Sequence, residues 1–128
     1  HVIAIEGRGW AFEEIGQNGG LAALENRAFA TDTVLCSNDR LAIGFLSACY
    51  KSGIRVGRKP DCSLRVASHD DHPFSRYTCP SLTTAAHDYA AVSDEVVATL
   101  FRLIESGGRL DGRTEHLFPA RLILRVSA

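Results

Sequence analysis

The stretch SHDDHPFSRYTCPSLTT, residues 68–84, follows the short apolar run LRVA at residues 64–67. Asp70 and Asp71 therefore fall where a predicted strand ends and the chain must turn. In open α/β sheets, ligands bind in the crevice outside the carboxyl ends of the strands, which makes these carboxylates candidates for ligand contact. A purely local role is the alternative, because Asp side chains also stabilise turns by accepting hydrogen bonds from nearby backbone N–H groups.

Length and composition indicate one globular unit, or part of one. The 128 residues are 45% hydrophobic, which is enough for a packed core without disulfide or metal staples. A net charge of −1 provides no basic surface for nucleic acid. No apolar run approaches the roughly 20 residues that span a bilayer, and no charged leader opens the sequence. We therefore expect a soluble, cytoplasmic protein that does not contact a membrane.

The four cysteines are widely spread along the chain, at Cys36, Cys49, Cys62 and Cys79. No C-x-x-C pair occurs among them, which argues against a zinc knuckle or a thioredoxin-type site. We expect reduced, mostly buried thiols, although the sequence leaves disulfide pairing open.

Alternating strand and helix signals predict an α/β fold with a largely parallel sheet. Helices are predicted over 12–26, 40–52 and 90–106, strands over 1–5, 34–37, 64–67, 82–86 and 117–126, and a polar loop over 109–114. Gly16, Gly19 and Gly20 weaken the first helix, since each costs about 1 kcal/mol relative to Ala.

The helix over 40–52 has the clearest pattern. Its apolar residues recur at i, i+3, i+4 and i+7, namely at Ala42, Phe45, Leu46 and Cys49. Ile43 and Tyr50 widen this stripe beyond what one sheet contact requires. The surplus favours either an ordinary helix between two layers or a helix that also meets a subunit partner.

Several strings of the sequence occur together in one known family. They are SNDRLAIG (37–44), GIRV (53–56), HDD (69–71), PSLTT (80–84) and LILRVS (122–127). In that order they resemble the ligand-sensing part of the LacI/GalR family of bacterial transcription regulators. The resemblance covers most of the chain and is faint before about residue 31.

This resemblance implies a periplasmic-binding-protein-like type I fold, which is a three-layer α/β sandwich with a mainly parallel sheet. Two such subdomains hold an effector, commonly a sugar, in the cleft between them. Residues 1–81 and 115–128 would form the C-terminal subdomain, while residues 82–114 would pack with the N-terminal subdomain and expose an apolar helical face. DNA would be contacted only through a segment that precedes this sequence.

The resemblance also assigns effector contacts to Asn38, Asp70, His87 and Trp10. Amide and carboxylate groups pair with the hydroxyls of a sugar, and an aromatic ring covers its apolar side. His87 stands at a place often held by Gln. Local alternatives are a strand-end cap for Asn38, a turn for Asp70, a solvated loop for His87 and core filler for Trp10. No bond is broken at such a site, so we expect neither catalysis nor a cofactor.

The family's dimer surface is similar to the helix over 40–52 and the loop over 74–79. This similarity predicts a homodimer that uses Ile43, Leu46, Tyr50 and Tyr77.

Two other functions would be compatible with parts of the pattern. A periplasmic sugar-binding protein of a transport system would share the fold and carry a secretory leader instead of a helix-turn-helix. A metal-dependent hydrolase could use His69, Asp70, Asp71 and His72 as ligands, although successive residues of an extended segment point to opposite faces.

The family usually has Gly and an aromatic residue just before the Asp pair, where this chain has Ala67-Ser68-His69. This departure leaves the identity of the effector open.

Overall fold

A computed structural model describes residues 1–109 and 115–128. In chain order its elements are helix α1 (Phe12–Glu25), strand β1 (Thr33–Leu35), helix α2 (Asp39–Lys51), strand β2 (Arg65–His69), a 3-10 turn (Pro73–Tyr77), strand β3 (Thr83–Ala86), helix α3 (Tyr89–Glu105) and strand β4 (Arg121–Ile123). All but the first residue of the predicted loop 109–114 lies outside the described residues.

One open sheet has the strand order β1-β2-β3-β4. β1 pairs with β2 in parallel, and β2 pairs with β3 in parallel. The predicted α/β class and the mainly parallel sheet are confirmed. Helix α1 packs on α2, and α2 packs on β2, so the full three-layer sandwich stays a prediction for the intact domain.

The chain divides into two compact units. The first consists of His1–Ala86 with Leu122–Ala128, and the second of His87–Arg121. The hydrophobic core belongs to the first unit, whereas the second is built on α3. Assigning residues 82–114 to the N-terminal subdomain stays a prediction.

The core of the first unit is formed by the predicted stripe of α2 and by apolar residues of the strands and their flanks. Its buried members are Ala42, Phe45, Leu46, Cys49, Leu64, Val66 and Leu82. Leu46 is only 6% exposed, because its helical spacing places it on the face that meets the sheet. This predicted interface residue is therefore a core residue in this chain.

Glycines allow α1 and α2 to approach each other closely. A Cβ at Gly16 would lie 2.2 Å from the carbonyl oxygen of Leu41, and one at Gly44 would lie 2.0 Å from the carbonyl oxygen of Glu13. No side chain fits at these distances. The glycine that lowers helix propensity in α1 is thus required for tight helix packing.

Residues 1–5 do not form the predicted strand. The sheet of the described residues contains only β1 to β4, and a strand needs a neighbour to receive its backbone hydrogen bonds. The segment packs by side chains instead, with Ile5 lying against Gly19. The apolar, β-branched composition of residues 1–5 favours a strand, but composition carries no information about whether the described residues provide a partner strand for it.

The last predicted strand, over 117–126, is shorter in the structure, where β4 covers Arg121–Ile123. Beyond β4, backbone N–H groups donate their hydrogen bonds to groups that are not part of a strand-to-strand ladder. The backbone N–H of Arg125 donates to Thr83 Oγ1 at 2.9 Å, and those of Val126 and Ser127 both donate to the carbonyl oxygen of Ser81 at 3.0 Å.

Helix α3, in the second unit, matches the helix predicted over 90–106. It is capped by Asp88, whose Oδ1 accepts a hydrogen bond from the backbone N–H of Ala91 at 3.0 Å. None of its 17 residues is buried. Its apolar residues that are at least half exposed include Val96, Val97, Leu100, Phe101 and Ile104, in agreement with the predicted apolar face. Among residues 1–109 and 115–128, no helix combines the length and hydrophobicity that crossing a membrane requires.

Replacing Gly44 by Ala should lower the free energy of unfolding by about 1–3 kcal/mol, because the added methyl group overpacks the α1–α2 contact. Urea denaturation followed by circular dichroism measures this loss. Gly19→Ala is the matched control: its methyl group would meet only the side chain of Ile5 in the irregular segment 1–5, and it gains up to about 1 kcal/mol of helix propensity. Equal destabilisation by both variants would contradict the packing argument.

Candidate functional site

The carboxyl ends of β1 and β2 bring Asn38 and Asp70 to the same edge of the sheet. Leu35 pairs with Ala67 in the parallel register of the two strands. Asn38 and Asp70 are each the third residue beyond this pair, because 38 − 35 and 70 − 67 are both 3. The edge where they emerge is the one at which open α/β sheets bind ligands.

Asn38 is a helix cap whose amide nitrogen stays available. The residue is half-buried, and its Oδ1 accepts a hydrogen bond from the backbone N–H of Leu41 at 2.9 Å. Among the hydrogen bonds of residues 1–109 and 115–128, its Nδ2 takes no part. The cap uses the oxygen, so the amide N–H groups can still donate to a ligand hydroxyl.

Asp70 and Asp71 have left-handed backbone conformations, with φ of 115° and 52°. Such angles cost residues that carry a Cβ on the order of 1–3 kcal/mol each, and they cluster at functional sites. Hydrogen bonds on either side hold the turn. The N–H of Asp70 donates to the carbonyl oxygen of Ala85 at 2.8 Å, and that of Asp71 donates to Thr84 Oγ1 at 3.2 Å.

The two carboxylates of the Asp pair have different surroundings. Asp71 Oδ1 accepts a hydrogen bond from Arg125 Nη2 at 2.6 Å, and the Asp71 side chain is only 22% exposed. Arg125 Nη1 also donates to the carbonyl oxygen of Leu82 at 2.7 Å. The Asp71 carboxylate therefore fastens the C-terminal segment, while Asp70, with 43% of its side chain exposed, is the better placed of the two for a ligand.

Asp39 is a site residue that the sequence reasoning missed. It is fully buried in the first turn of α2, and its carboxylate accepts four hydrogen bonds. Oδ1 accepts from Ser68 Oγ and, at 2.7 Å, from Thr84 Oγ1. Oδ2 accepts from the His72 backbone N–H at 2.7 Å and from Ser75 Oγ at 2.5 Å. An acidic residue directly after a helix cap was the available signal, but its partners lie 29 to 45 residues away.

Trp10 is surface-exposed and contacts the first residue of α1. It is 81% exposed, and its ring stands edge-on to Phe12 at a centroid distance of 5.8 Å. The Arg40 guanidinium lies 5.2 Å from the Phe12 ring centre and donates two hydrogen bonds to the Glu13 carboxylate at 2.6 Å. These bonds lower the pKa of Glu13 and raise that of Arg40. The indole is thus linked to Arg40 of α2 through Phe12, and its exposure excludes a role as core filler.

His87 directly follows β3 and is the first residue of the second unit. It is half-buried, and its ring centroid lies 5.7 Å from that of Tyr89, with an angle of 62° between the ring planes. Its contact with an effector stays a prediction.

Three of the predicted dimer residues retain exposed surface. Tyr50 near the end of α2 is 85% exposed, and Tyr77 at the end of the 3-10 turn is 76% exposed. Ile43 is half-buried on α2.

The four consecutive residues of the hydrolase alternative do not act as one ligand set. The Asp71 carboxylate is bonded to Arg125, and His72 Nδ1 accepts a hydrogen bond from the backbone N–H of Phe74 at 3.3 Å. Only His69 and Asp70 approach each other, at 3.5 Å between Nδ1 and Oδ1. This geometry does not support a metal centre built from the whole run.

All four cysteines are free, and their environments differ. Burial is the main cause that raises the pKa of Cys36 and of Cys49 to about 12. At Cys36 the nearby Cys49 and Asp39 also raise the pKa. Cys79 is exposed. The Cys36 and Cys49 thiols are therefore protonated and unreactive at neutral pH.

Comparison with known proteins agrees with the fold and the edge described above. The model of the periplasmic binding protein-like domain matches residues 6–128. The chain is 32% identical over 112 residues to the HTH-type transcriptional regulator GalS of Salmonella typhimurium, covering 88% of this chain and 31% of that protein. It is 30% identical over 100 residues to the lactose operon repressor of Escherichia coli, covering 78% and 26%. The chain thus spans less than a third of the length of these relatives.

Solved structures show the same similarity. The Lac repressor bound to ONPG matches with a TM-score of 0.74 at 27% identity, over 91% of this chain and 33% of that one. A LacI family regulator from Arthrobacter sp. FB24, in complex with lactose, matches with a TM-score of 0.70 at 31% identity, over 90% and 41%.

The parallel sheet, the polar groups at its carboxyl edge and the matching domain model define a periplasmic-binding-protein-like domain. Within that class the chain belongs to the LacI/GalR family, and the match lies in the effector-binding domain region.

Alkylation should distinguish the cysteines. At about pH 8, iodoacetamide should label Cys79 quickly and leave Cys36 and Cys49 unlabelled until denaturant is added, because their raised pKa leaves little thiolate. Mass spectrometry of the labelled peptides measures this order. Raising the pH toward 9 should not expose either buried thiol to rapid labelling, and rapid native labelling of Cys49 would contradict the burial of its thiol.

Proposed function

We propose that this chain is the ligand-sensing and dimerisation part of a LacI-type DNA-binding transcription regulator that binds a small, sugar-like effector. The observation that carries the proposal is the parallel register that places Asn38 and Asp70 at one sheet edge. An amide donor and a carboxylate acceptor match vicinal hydroxyls, and the exposed Trp10 ring offers a stacking surface for the apolar face of a sugar. None of these groups needs to break a bond, so the function is binding.

Relatives support the sugar class of the effector. The Arthrobacter regulator was solved with lactose, and a LacI family regulator from Lactobacillus casei was solved with sucrose. We extend this ligand class to the present chain because its exposed polar groups and ring suit polyhydroxylated molecules.

DNA contact is assigned to a segment outside this chain. The net charge of −1 offers no electrostatic attraction for phosphates, whereas the curated relatives are HTH-type regulators and repressors. A regulator that reaches the chromosome acts in the cytoplasm, which separates this proposal from a periplasmic transport protein.

The other wall of the effector cleft is assigned to the N-terminal subdomain, with which residues 82–114 would pack. The support is the apolar face of α3, whose side chains Val97, Leu100, Phe101 and Ile104 are each at least half exposed. An exposed patch of this kind marks an interaction surface. His87 would then contribute to the effector site from the segment that joins the two subdomains.

The effector proposal is tested by a thermal-shift screen of the intact protein with lactose, sucrose, D-galactose and a panel of other sugars. At least one sugar should raise Tm, since a ligand that binds only the folded state stabilises it. Asn38→Ala and Asp70→Asn should weaken binding of that sugar by about tenfold or more. Asp32→Asn is the matched control, because this exposed carboxylate precedes β1 and pairs with Arg65 at the opposite edge of the sheet. No shift with any sugar, or equal loss in the control, would contradict the proposal.

The dimer proposal is tested by sedimentation of the intact protein at micromolar concentration, where we expect the mass of a dimer. Ile43 and Tyr50 are seven residues apart on α2 and share a face, which Tyr77 would extend. Tyr50→Lys should shift the population to monomer, because it places a charge in an apolar interface. Arg58→Asp, a charge reversal at an exposed residue of the connection between α2 and β2, should leave the mass unchanged. A monomeric wild type would contradict the proposal.

A further inference from the structure

We propose that Asp39 is a positioning residue that holds the backbone of Asp70 and thereby aims the Asp70 carboxylate at the effector. The inference deepens the proposed function and rests on it, because Asp70 is taken as an effector contact. Asp39 itself is fully buried, so it acts through other groups.

The first step is the bonding of the two peptide N–H groups that follow Asp70. The N–H of His72 donates directly to Asp39 Oδ2 at 2.7 Å. The N–H of Asp71 donates to Thr84 Oγ1 at 3.2 Å, and the Thr84 hydroxyl donates in turn to Asp39 Oδ1 at 2.7 Å. One carboxylate therefore fixes both peptides, one of them directly and the other through a threonine hydroxyl.

The second step is the backbone conformation that these bonds hold. Asp70 and Asp71 have φ of 115° and 52°, which residues with a Cβ leave unless the surroundings restrain them. On the preceding side the N–H of Asp70 is bonded to Ala85 of β3. After Asp70, the hydrogen bonds of the Asp71 and His72 N–H groups both lead to Asp39. The direction of a side chain depends on its own backbone angles, so the direction of the Asp70 carboxylate depends on Asp39.

The third step is the need for a carboxylate in particular. All four bonds to Asp39 come from donors, and the His72 N–H cannot reverse its polarity. In Asp39→Asn the amide oxygen would keep the His72 N–H, and the amide NH₂ would face the hydroxyls of Ser68 and Thr84. Thr84 Oγ1 would then accept from residue 39 as well as from the Asp71 N–H, and the Thr84 O–H would lose the carboxylate oxygen that fixes its orientation. The substitution therefore loosens the turn at Asp71.

Ser75 provides a matched control within the same network. Its buried hydroxyl bonds Asp39 Oδ2 at 2.5 Å, but it receives neither the Asp71 nor the His72 N–H. Ser75→Ala thus removes one bond to the same carboxylate without releasing the turn. Thr84→Val removes the relay hydroxyl at nearly constant volume, and Thr84→Ser restores it.

The experiment compares wild type, Asp39→Asn, Thr84→Val, Thr84→Ser and Ser75→Ala in the intact protein. Amide hydrogen exchange of Asp71 and His72 is measured by NMR without sugar, and Kd for lactose, sucrose and D-galactose is measured by calorimetry. We expect exchange at Asp71 to be about tenfold faster in Asp39→Asn and Thr84→Val. The Kd of the bound sugar should rise about tenfold in the same two variants. Thr84→Ser should remain near wild type, and Ser75→Ala should lose stability while keeping its Kd.

Three results would overturn the inference. Exchange at Asp71 could rise no more in Thr84→Val than in Ser75→Ala, or sugar affinity could fall equally in both, or faster exchange could leave the Kd unchanged. If Asp39→Asn does not fold, Thr84→Val and its rescue by Thr84→Ser decide the question. If wild type binds neither these three sugars nor any sugar of the wider panel, the proposed effector class fails, while the exchange measurements still decide whether Asp39 holds the turn.

Discussion

The structure of the first unit depends on the burial of one carboxylate. Asp39 is removed from water at the start of α2, and a buried charge is tolerated only when it is fully hydrogen-bonded. Its four donors come from β2, β3, the 3-10 turn and the backbone just before that turn. The position in the first turn of a helix adds a favourable interaction with the helix dipole. Because these donors come from separate segments, satisfying one charge brings the ends of two strands to a common edge.

A second polar network fixes the returning C-terminal segment. Ser127 is fully buried, and its hydroxyl donates to the carbonyl oxygen of Val66 at 2.6 Å while accepting from the backbone N–H of Thr83 at 2.8 Å. Arg125 bonds Asp71 and the Leu82 carbonyl oxygen. Side chains therefore replace much of the ladder that the alternating sequence 117–126 predicted. β2 and β3 are therefore joined by two sets of polar contacts. Asp39 bonds both strands at the carboxyl edge, and Ser127 bonds them at Val66 and Thr83.

The parts of the fold that sequence could predict are those whose signals are local. The stripe of α2 is visible within 13 residues, and its buried face follows from helical spacing. Resemblance to a family supplied Asn38, whereas Asp70 was already a candidate because it follows a predicted strand; hydrophobic periodicity indicated neither role. The contacts of Asp39 were invisible because they join residues far apart in the chain. Gly16 was misleading for the same reason: the helix backbone that it meets belongs to another element.

The adjacent aspartates have different environments although they are the same residue type. Asp71 faces an arginine that is 14% exposed, so replacing it would leave a cation without its partner. Asp70 carries the greater backbone strain and the more exposed carboxylate, and its turn is held from behind by Asp39. The partly buried ion pair and the proposed effector contact therefore fall on different side chains directly after β2. Under the proposed function, residues such as Trp10, which stay outside both buried networks, could vary to suit a different effector without disturbing the bonds that hold the Asp70 turn.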